Sequence, residues 1–258
     1  MRIRWRWRRG ALLLSTFALT TLGLAGLGVV AGGEFRLCLA AAVDMPGMTA
    51  GSCWSETDLA DLTTRETGLG LELTHPQDLK EKSRVSTCRD YLARTRLGWY
   101  ALTTRDMAAE GRLKEACAVL AVLTEAREPR YHLIGKSGGL GDLTRLGEEI
   151  LPQLGEAGGR YTTASGRPPR TLAALVEGGE CTVGRASDSE LRLTYNGLDV
   201  VYRKLALADF DGDGYEDMLV GVAARASGGT QQMSDIIGLT QTSSGRRIEL
   251  VSLSGLAP

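Results

Sequence analysis

Histidine is almost missing from this sequence: the 258 residues include only His75 and His132. A zinc centre built from several imidazoles is thereby excluded, and a serine nucleophile would have little choice of base. Aromatic residues make up 5%, too few for extended stacking platforms for bases or sugars. Neither charge is in surplus. The formal net charge is -1, which argues against nucleic acid as a partner, since general binders carry a basic excess. None of the five cysteines forms a C-x-x-C pair, which excludes zinc ribbons and thioredoxin-type redox motifs. No internal repeat is found. The remaining composition, 43% apolar and 24% charged, is that of a globular chain long enough for one or two domains.

What basic surplus exists is local. Arg2, Arg4, Arg6, Arg8 and Arg9 precede a run from Ala11 to Ala31 without a charge. A positive region followed by an apolar one is the pattern of an export signal. Residues 1–31 are therefore expected to be a signal peptide, with an uncleaved membrane anchor as the alternative. Val29-Val30-Ala31 offers one cleavage site and Ala40-Ala41-Ala42 a later one. The expected location is periplasmic or secreted; the alternative is an inner-membrane anchor facing the periplasm, with this segment as the chain's one membrane contact.

Export changes how the cysteines read, because spaced cysteines in an oxidising compartment are usually bridged. Loss of Cys38 with the signal would leave Cys53, Cys88, Cys117 and Cys181. Cys88 and Cys117 each sit on an apolar helical stripe and are the favoured pair. Cys53 with Cys181 then follows by elimination. The alternative is buried free thiols.

Residues 43–154 read as mainly helical. Ser55 caps a short helix to Thr64, with Asp58 three residues later. Leu69 to Thr74 alternates as a brief strand. Pro76, Asp78 and Glu81 open a helix carrying Val85, Cys88 and Leu92, which Gly98 ends. Thr104 to Ala126 is the strongest helix, with Leu113, Ala116, Cys117, Leu120 and Leu123 on one stripe. Tyr131 to Ile134 is strand-like, and Asp142 caps a helix carrying Leu143, Leu146, Ile150 and Leu151. Gly155 to Arg170 reads as a flexible loop.

Residues 171–258 read as a β-rich region. Thr171 caps a two-turn helix through Val176. Beyond Cys181 the hydrophobic period becomes alternating. Asn196-Gly197 is a strong hairpin signal, because both turn residues must tolerate positive φ. Strands are expected over Leu191–Tyr195, Leu198–Leu207, Met218–Ala223, Ile236–Thr242 and Ile248–Leu253, with a polar loop over Ala224–Ser234. The fold class is α+β: an N-terminal signal or anchor helix, a helical region, then an antiparallel β-meander of about five strands.

One stretch carries specific chemistry. In Asp209-Phe210-Asp211-Gly212-Asp213-Gly214-Tyr215-Glu216-Asp217, aspartates fall at positions 1, 3, 5 and 9, with glycine at position 6. Calcium takes six to eight oxygens. Asp209, Asp211 and Asp213 project toward one ion as the backbone curls, Gly214 permits the turn, Tyr215 offers its carbonyl and Asp217 closes from the far side. Four carboxylates within nine residues repel each other without a cation.

With Leu207-Ala208 before it and Met218-Leu219-Val220 after it, this loop resembles the calcium loop of FG-GAP or VCBS-type repeats. Such repeats build β-propellers in integrins and in many exported bacterial proteins. The resemblance implies Ca2+ as the cofactor, held by Asp209, Asp211, Asp213, Tyr215 and Asp217. It departs from an EF-hand, whose twelfth position is glutamate where this chain has Val220. A single copy cannot make a propeller.

Other constellations fall short. Gly135-Lys136-Ser137 lacks the glycine that a phosphate loop needs five residues earlier, where Arg130 stands. Gly135-Lys136-Ser137-Gly138-Gly139 fits G-x-S-x-G, but an α/β-hydrolase places its histidine after the serine, and His75 and His132 both precede it. The leading expectation is an exported, non-enzymatic calcium-binding protein of the cell envelope, with a structural metal and a protein or envelope partner. The alternative is an exported serine hydrolase centred near Ser137.

Overall fold

The computed structural model describes residues 35–152, 170–228 and 232–253. The expected signal at 1–31 and nearly all of the expected loop at 155–170 lie outside them. Among the described residues no helix is long and apolar enough to cross a membrane.

The first described segment is already part of the packed fold. β1 (Leu37–Cys38) pairs antiparallel with β2 (Cys53–Trp54). Leu37 and Leu39 are buried, and the Ala40 N–H donates to Leu205 O at 2.6 Å. Cys38 stands opposite Cys53 in the register and is bonded to it. This corrects the expected Cys53–Cys181 bridge. Cys38 lies on a strand whose neighbours Leu37 and Leu39 are in the core, and Cys181 is a buried free thiol. The later cleavage site at Ala40–Ala42 falls inside this packed segment.

The helical region contains more strand than its periodicity suggests. α1 (Glu56–Leu62) starts at Ser55, whose hydroxyl and the Asp58 carboxylate form a reciprocal capping box. β3 (Glu66–Thr74) and β4 (Lys82–Thr87) then form an antiparallel hairpin. The helix expected from Pro76 onward is absent. Val85 lies on β4 opposite Leu71, with both side chains buried. Helix α2 (Cys88–Thr95) begins only after Thr87, whose hydroxyl accepts from the Asp90 N–H. A strand running directly into a helix left three apolar residues at an apparently helical spacing.

α3 (Thr104–Glu125) forms as expected, capped by Thr103. Its stripe of Leu113, Ala116, Cys117, Leu120 and Leu123 is buried. The Cys88–Cys117 disulfide staples α2 to it, which is the favoured pairing. The expected helix after Asp142 is replaced by short 3-10 turns at Gly139–Gly141 and Glu148–Ile150. Asp142 Oδ1 instead accepts from the N–H and hydroxyl of Thr144, a local turn that competes with helix. Leu146, Ile150 and Leu151 are nonetheless buried. Thr171 caps α4 (Leu172–Glu177) as expected.

The remaining chain is an antiparallel sheet in the order β10-β9-β8-β7-β6-β5. Its strands are β5 (Cys181–Ala186), β6 (Glu190–Tyr195), β7 (Leu198–Ala208), β8 (Asp217–Ala226), β9 (Gln232–Thr240) and β10 (Glu249–Val251). Asn196 and Gly197 make the β6–β7 turn at φ 49° and 73°. The sheet has six strands rather than about five, because Cys181–Ala186 adds an edge strand. Much of the loop expected over Ala224–Ser234 is strand, since β8 runs to Ala226 and β9 starts at Gln232.

Both faces of this sheet are covered. Leu205, Ala208, Leu219 and Ile236 join a core with α1, α2, α3 and the β3–β4 hairpin. Tyr202, Met218, Val220, Val222 and Leu239 join a second core with Ile134, Leu140, Leu146, Ile150 and α4. Met218-Leu219-Val220 is therefore continuously apolar, since alternate side chains enter different cores. The chain passes from one core to the other between Leu123 and Ile134. This strap runs beside the β7–β8 turn, where the four aspartates lie.

The disulfide assignment is testable by thiol counting. Native protein should react slowly with a soluble thiol reagent, because burial pushes the Cys181 thiol pKa up and hides the sulfur. Denatured, unreduced protein should release one equivalent, from Cys181. A Cys88→Ala/Cys117→Ala variant should lose about 3–4 kcal/mol of stability in chemical denaturation, as expected for opening a loop of this length.

Candidate metal centre

The β7–β8 connection is a tight turn made by residue types that cannot pack and one that can. Gly212 and Gly214 both adopt positive φ, 87° and 88°, a conformation costly for any residue with a Cβ. Phe210 does the opposite work. Its ring is buried in the first core beside Ala208 and Leu219 and pins an otherwise polar turn to the body of the protein. Burying a ring of that size contributes about 1.5–3 kcal/mol.

The aspartates organise the turn through the backbone. Asp209 Oδ1 accepts from the Gly212 N–H at 2.7 Å and its Oδ2 from the Gly214 N–H at 3.0 Å. Asp211 Oδ1 accepts from the Asp213 N–H, and Asp213 Oδ1 from the Tyr215 N–H. Asp217 Oδ2 accepts from the Phe210 N–H at 2.9 Å.

Of the four carboxylates, three converge. Asp209, Asp211 and Asp217 each offer an oxygen lying within 4.8 Å of the others. Asp209 and Asp217 are buried, and Asp211 faces solvent. Asp213 stands on the same turn outside this trio and is exposed. Tyr215 stacks its ring on Tyr131, with centroids 5.0 Å apart.

The electrostatics are those of a site that wants a cation. Burial pushes the Asp217 carboxyl up to about 6; the Phe210 amide and the nearby Thr240 hydroxyl pull the other way without cancelling it. Asp211 is also raised, first by the partial desolvation of its carboxyl against the turn, although the residue as a whole is exposed, and then by the neighbouring Asp213 and Asp209 charges. Asp217 is wholly buried, and its Oδ1 makes no hydrogen bond. An acceptor left without a donor in such a place is costly. A metal ion at the trio supplies the missing charge, so these residues fit one.

Two features of the site had no counterpart in the sequence reading. The first is Glu216, which is buried although it ends the turn, directly before β8. Its Oε1 meets His132 Nδ1 at 2.8 Å, and its Oε2 accepts from the Gly135 N–H at 3.1 Å. A Cβ at position 135 would come within 2.7 Å of that oxygen, so Gly135 serves this close approach rather than a phosphate or nucleophile loop. An acidic residue directly before an apolar strand was the available clue.

The second is the strap. The Arg127 N–H donates to Asp209 O at 2.9 Å, and the Asp209 N–H returns to Arg127 O at 3.0 Å. Gly214 O accepts from the N–H groups of Arg130 and Tyr131, and Tyr131 O accepts from the Glu216 N–H. The turn is thus bonded along its length to the segment that links the two cores.

Ser137 has no role in this arrangement. Its hydroxyl donates to Ile134 O at 2.9 Å, while the ring of His132 is taken by Glu216. A groove of about 1020 Å3 runs between α3 and strands β7–β9. Neither Ser137 nor the aspartate turn lines it.

Residues 201–232 match the family model described as the FG-GAP repeat. The match covers β7 from Val201 onward, the aspartate turn and β8, and so covers the geometry that brings the carboxylates together. No curated protein and no solved structure matches the chain.

The raised Asp217 pKa fixes the sign of a pH effect in metal-free protein. A carboxyl held at about 6 in the fold against an ordinary 3.8 contributes stability that is fully present below 3.8 and lost as pH rises through 6. Asp217→Asn, which cannot ionise, should therefore gain on the wild type between pH 4 and pH 7. The expected gain is about 2–3 kcal/mol, read from denaturation midpoints in chelator.

Proposed function

We propose that the chain is an exported calcium-binding protein in which the metal braces the fold. The observation that carries the reading is the convergence of one carboxylate oxygen each from Asp209, Asp211 and Asp217, together with a buried Asp217 oxygen that has no hydrogen-bond partner. Calcium is favoured over softer metals because every side chain offered is an oxygen donor. The FG-GAP match over residues 201–232 supports the same ion. Asp213 and the Tyr215 carbonyl complete the set on this reading, as solvent-side ligands.

Export is supported by the two disulfides, which belong to an oxidising compartment. It also suits the ion, since loops of this kind outside the cell work at Kd values of roughly 0.1–1 mM. The place assigned is the periplasm or the exterior of a bacterial envelope, with a protein or envelope component as partner. The role assigned to the metal is mechanical. It fixes the β7–β8 turn and, through the Asp209, Gly214 and Glu216 hydrogen bonds, the strap from Arg127 to Gly135.

Calorimetric titration and melting test the reading together. At a calcium concentration of about 100 Kd the fold should gain about 2.7 kcal/mol. That corresponds to a rise of roughly 5–10 °C in Tm for a chain of this size. Asp217→Asn should lose most of that rise. Absence of both heat and thermal shift in the wild type would sink the proposal.

Limited trypsinolysis tests the mechanical part. Arg130 lies exposed on the strap, and chelation should speed cleavage after it. Equal cleavage rates with and without calcium would show the strap to be independent of the ion.

A further inference from the structure

We infer that Thr240 is a positioning residue for the metal-binding carboxylate of Asp217, so that the centre reaches across the sheet from the β7–β8 turn to β9. The inference rests on the calcium reading above and adds a residue outside the matched segment 201–232.

The strand register places Thr240 directly opposite Asp217. Paired residues in an antiparallel ladder put their side chains on the same face. Both are buried: Asp217 has 0% of its surface exposed and Thr240 9%. Asp217 Oδ2 is engaged by the Phe210 N–H. Asp217 Oδ1 and Thr240 Oγ1 are each without a hydrogen-bond partner. Two neighbouring buried oxygens are thus unsatisfied together, and one carries a proton to give while the other, once ionised, can only accept.

This complementarity is what a ligating carboxylate requires on its outer side. A carboxylate held by donors at both oxygens keeps its orientation, and loss of such a partner typically costs ten- to a hundredfold in metal affinity. Phe210 supplies one donor through its backbone, which no substitution short of proline removes. Thr240 supplies the other through its side chain, which a substitution can. An unpartnered hydroxyl buried at the end of β9 has no packing advantage over a methyl group, so its presence is accounted for by the carboxylate it faces.

The test is calcium titration by calorimetry on the full folded chain, comparing wild type with Thr240→Val, Thr240→Ala and Thr240→Ser. Thr240→Val is close in shape and lacks the donor. It should weaken calcium binding at least about tenfold, with a melting temperature in chelator no lower than that of the wild type. Thr240→Ala should show the same loss, and it carries the comparison should the valine variant fail to fold. Thr240→Ser, which restores the hydroxyl, should restore affinity.

Wild-type affinity in Thr240→Val and Thr240→Ala would overturn the assignment while leaving the calcium centre standing. So would a loss in Thr240→Ser equal to that in Thr240→Val, since the methyl rather than the hydroxyl would then matter. A wild type that binds no calcium would remove the centre, and the assignment with it.

Discussion

The structure depends on keeping one carboxylate in a place water does not reach. Asp217 opens β8 in a sheet covered on both faces, and one of its oxygens has no donor. A buried, half-satisfied charge costs several kcal/mol. The usual remedy is a basic residue; the charges that act on Asp217 here are those of Asp211 and Asp213. The turn brings up two more carboxylates instead. That choice makes matters worse in water and better around a cation. Gly212, Gly214 and Phe210 then follow as consequences. The glycines let the backbone fold back tightly, and the phenylalanine anchors it.

The same turn carries the connection between the two cores. α3 belongs to the first core and Ile134 to the second. The strap between them is bonded to the turn by backbone groups at Asp209, Gly214 and Glu216. Each such bond is worth only about 0.5–1.5 kcal/mol net. They act together because they share a turn whose order depends on four mutually repelling side chains. A disturbance at the carboxylates therefore reaches both faces of the sheet by a short covalent and hydrogen-bonded route.

Legibility of the sequence followed the range of the interaction. α3 was readable because its stripe is long and its cap local. The Asn196-Gly197 turn was readable because positive φ restricts residue choice. The aspartate turn was readable because ligand spacing is a local property of the chain. The segment from Pro76 to Leu92 was misread because three apolar residues at helical spacing also fit a strand ending in a helix. There the pairing of Val85 with Leu71 across the hairpin decided the matter. Cys38 was assigned to a leader because nothing local shows that Leu37 and Leu39 are core residues. Glu216 and Thr240 were invisible for the same reason: their partners lie far away in sequence, at His132 and Gly135 for one and Asp217 for the other.

The disulfides and, on the proposed reading, the calcium ion would share a dependence on compartment. The disulfides at Cys38–Cys53 and Cys88–Cys117 form where thiols are oxidised, each worth about 3 kcal/mol or somewhat more. On the proposed reading, calcium at about ten times its Kd adds roughly 1–2 kcal/mol and relieves the penalty at Asp217. A chain still in the cytoplasm would have neither contribution, and one delivered outside would have both. A sum of this size is comparable to the whole stability of many domains, so folding would be completed by arrival in the right place. That is a sufficient physical reason to build a turn from repelling aspartates when a plain Asn-Gly hairpin, of the kind used between β6 and β7, would have closed the same sheet.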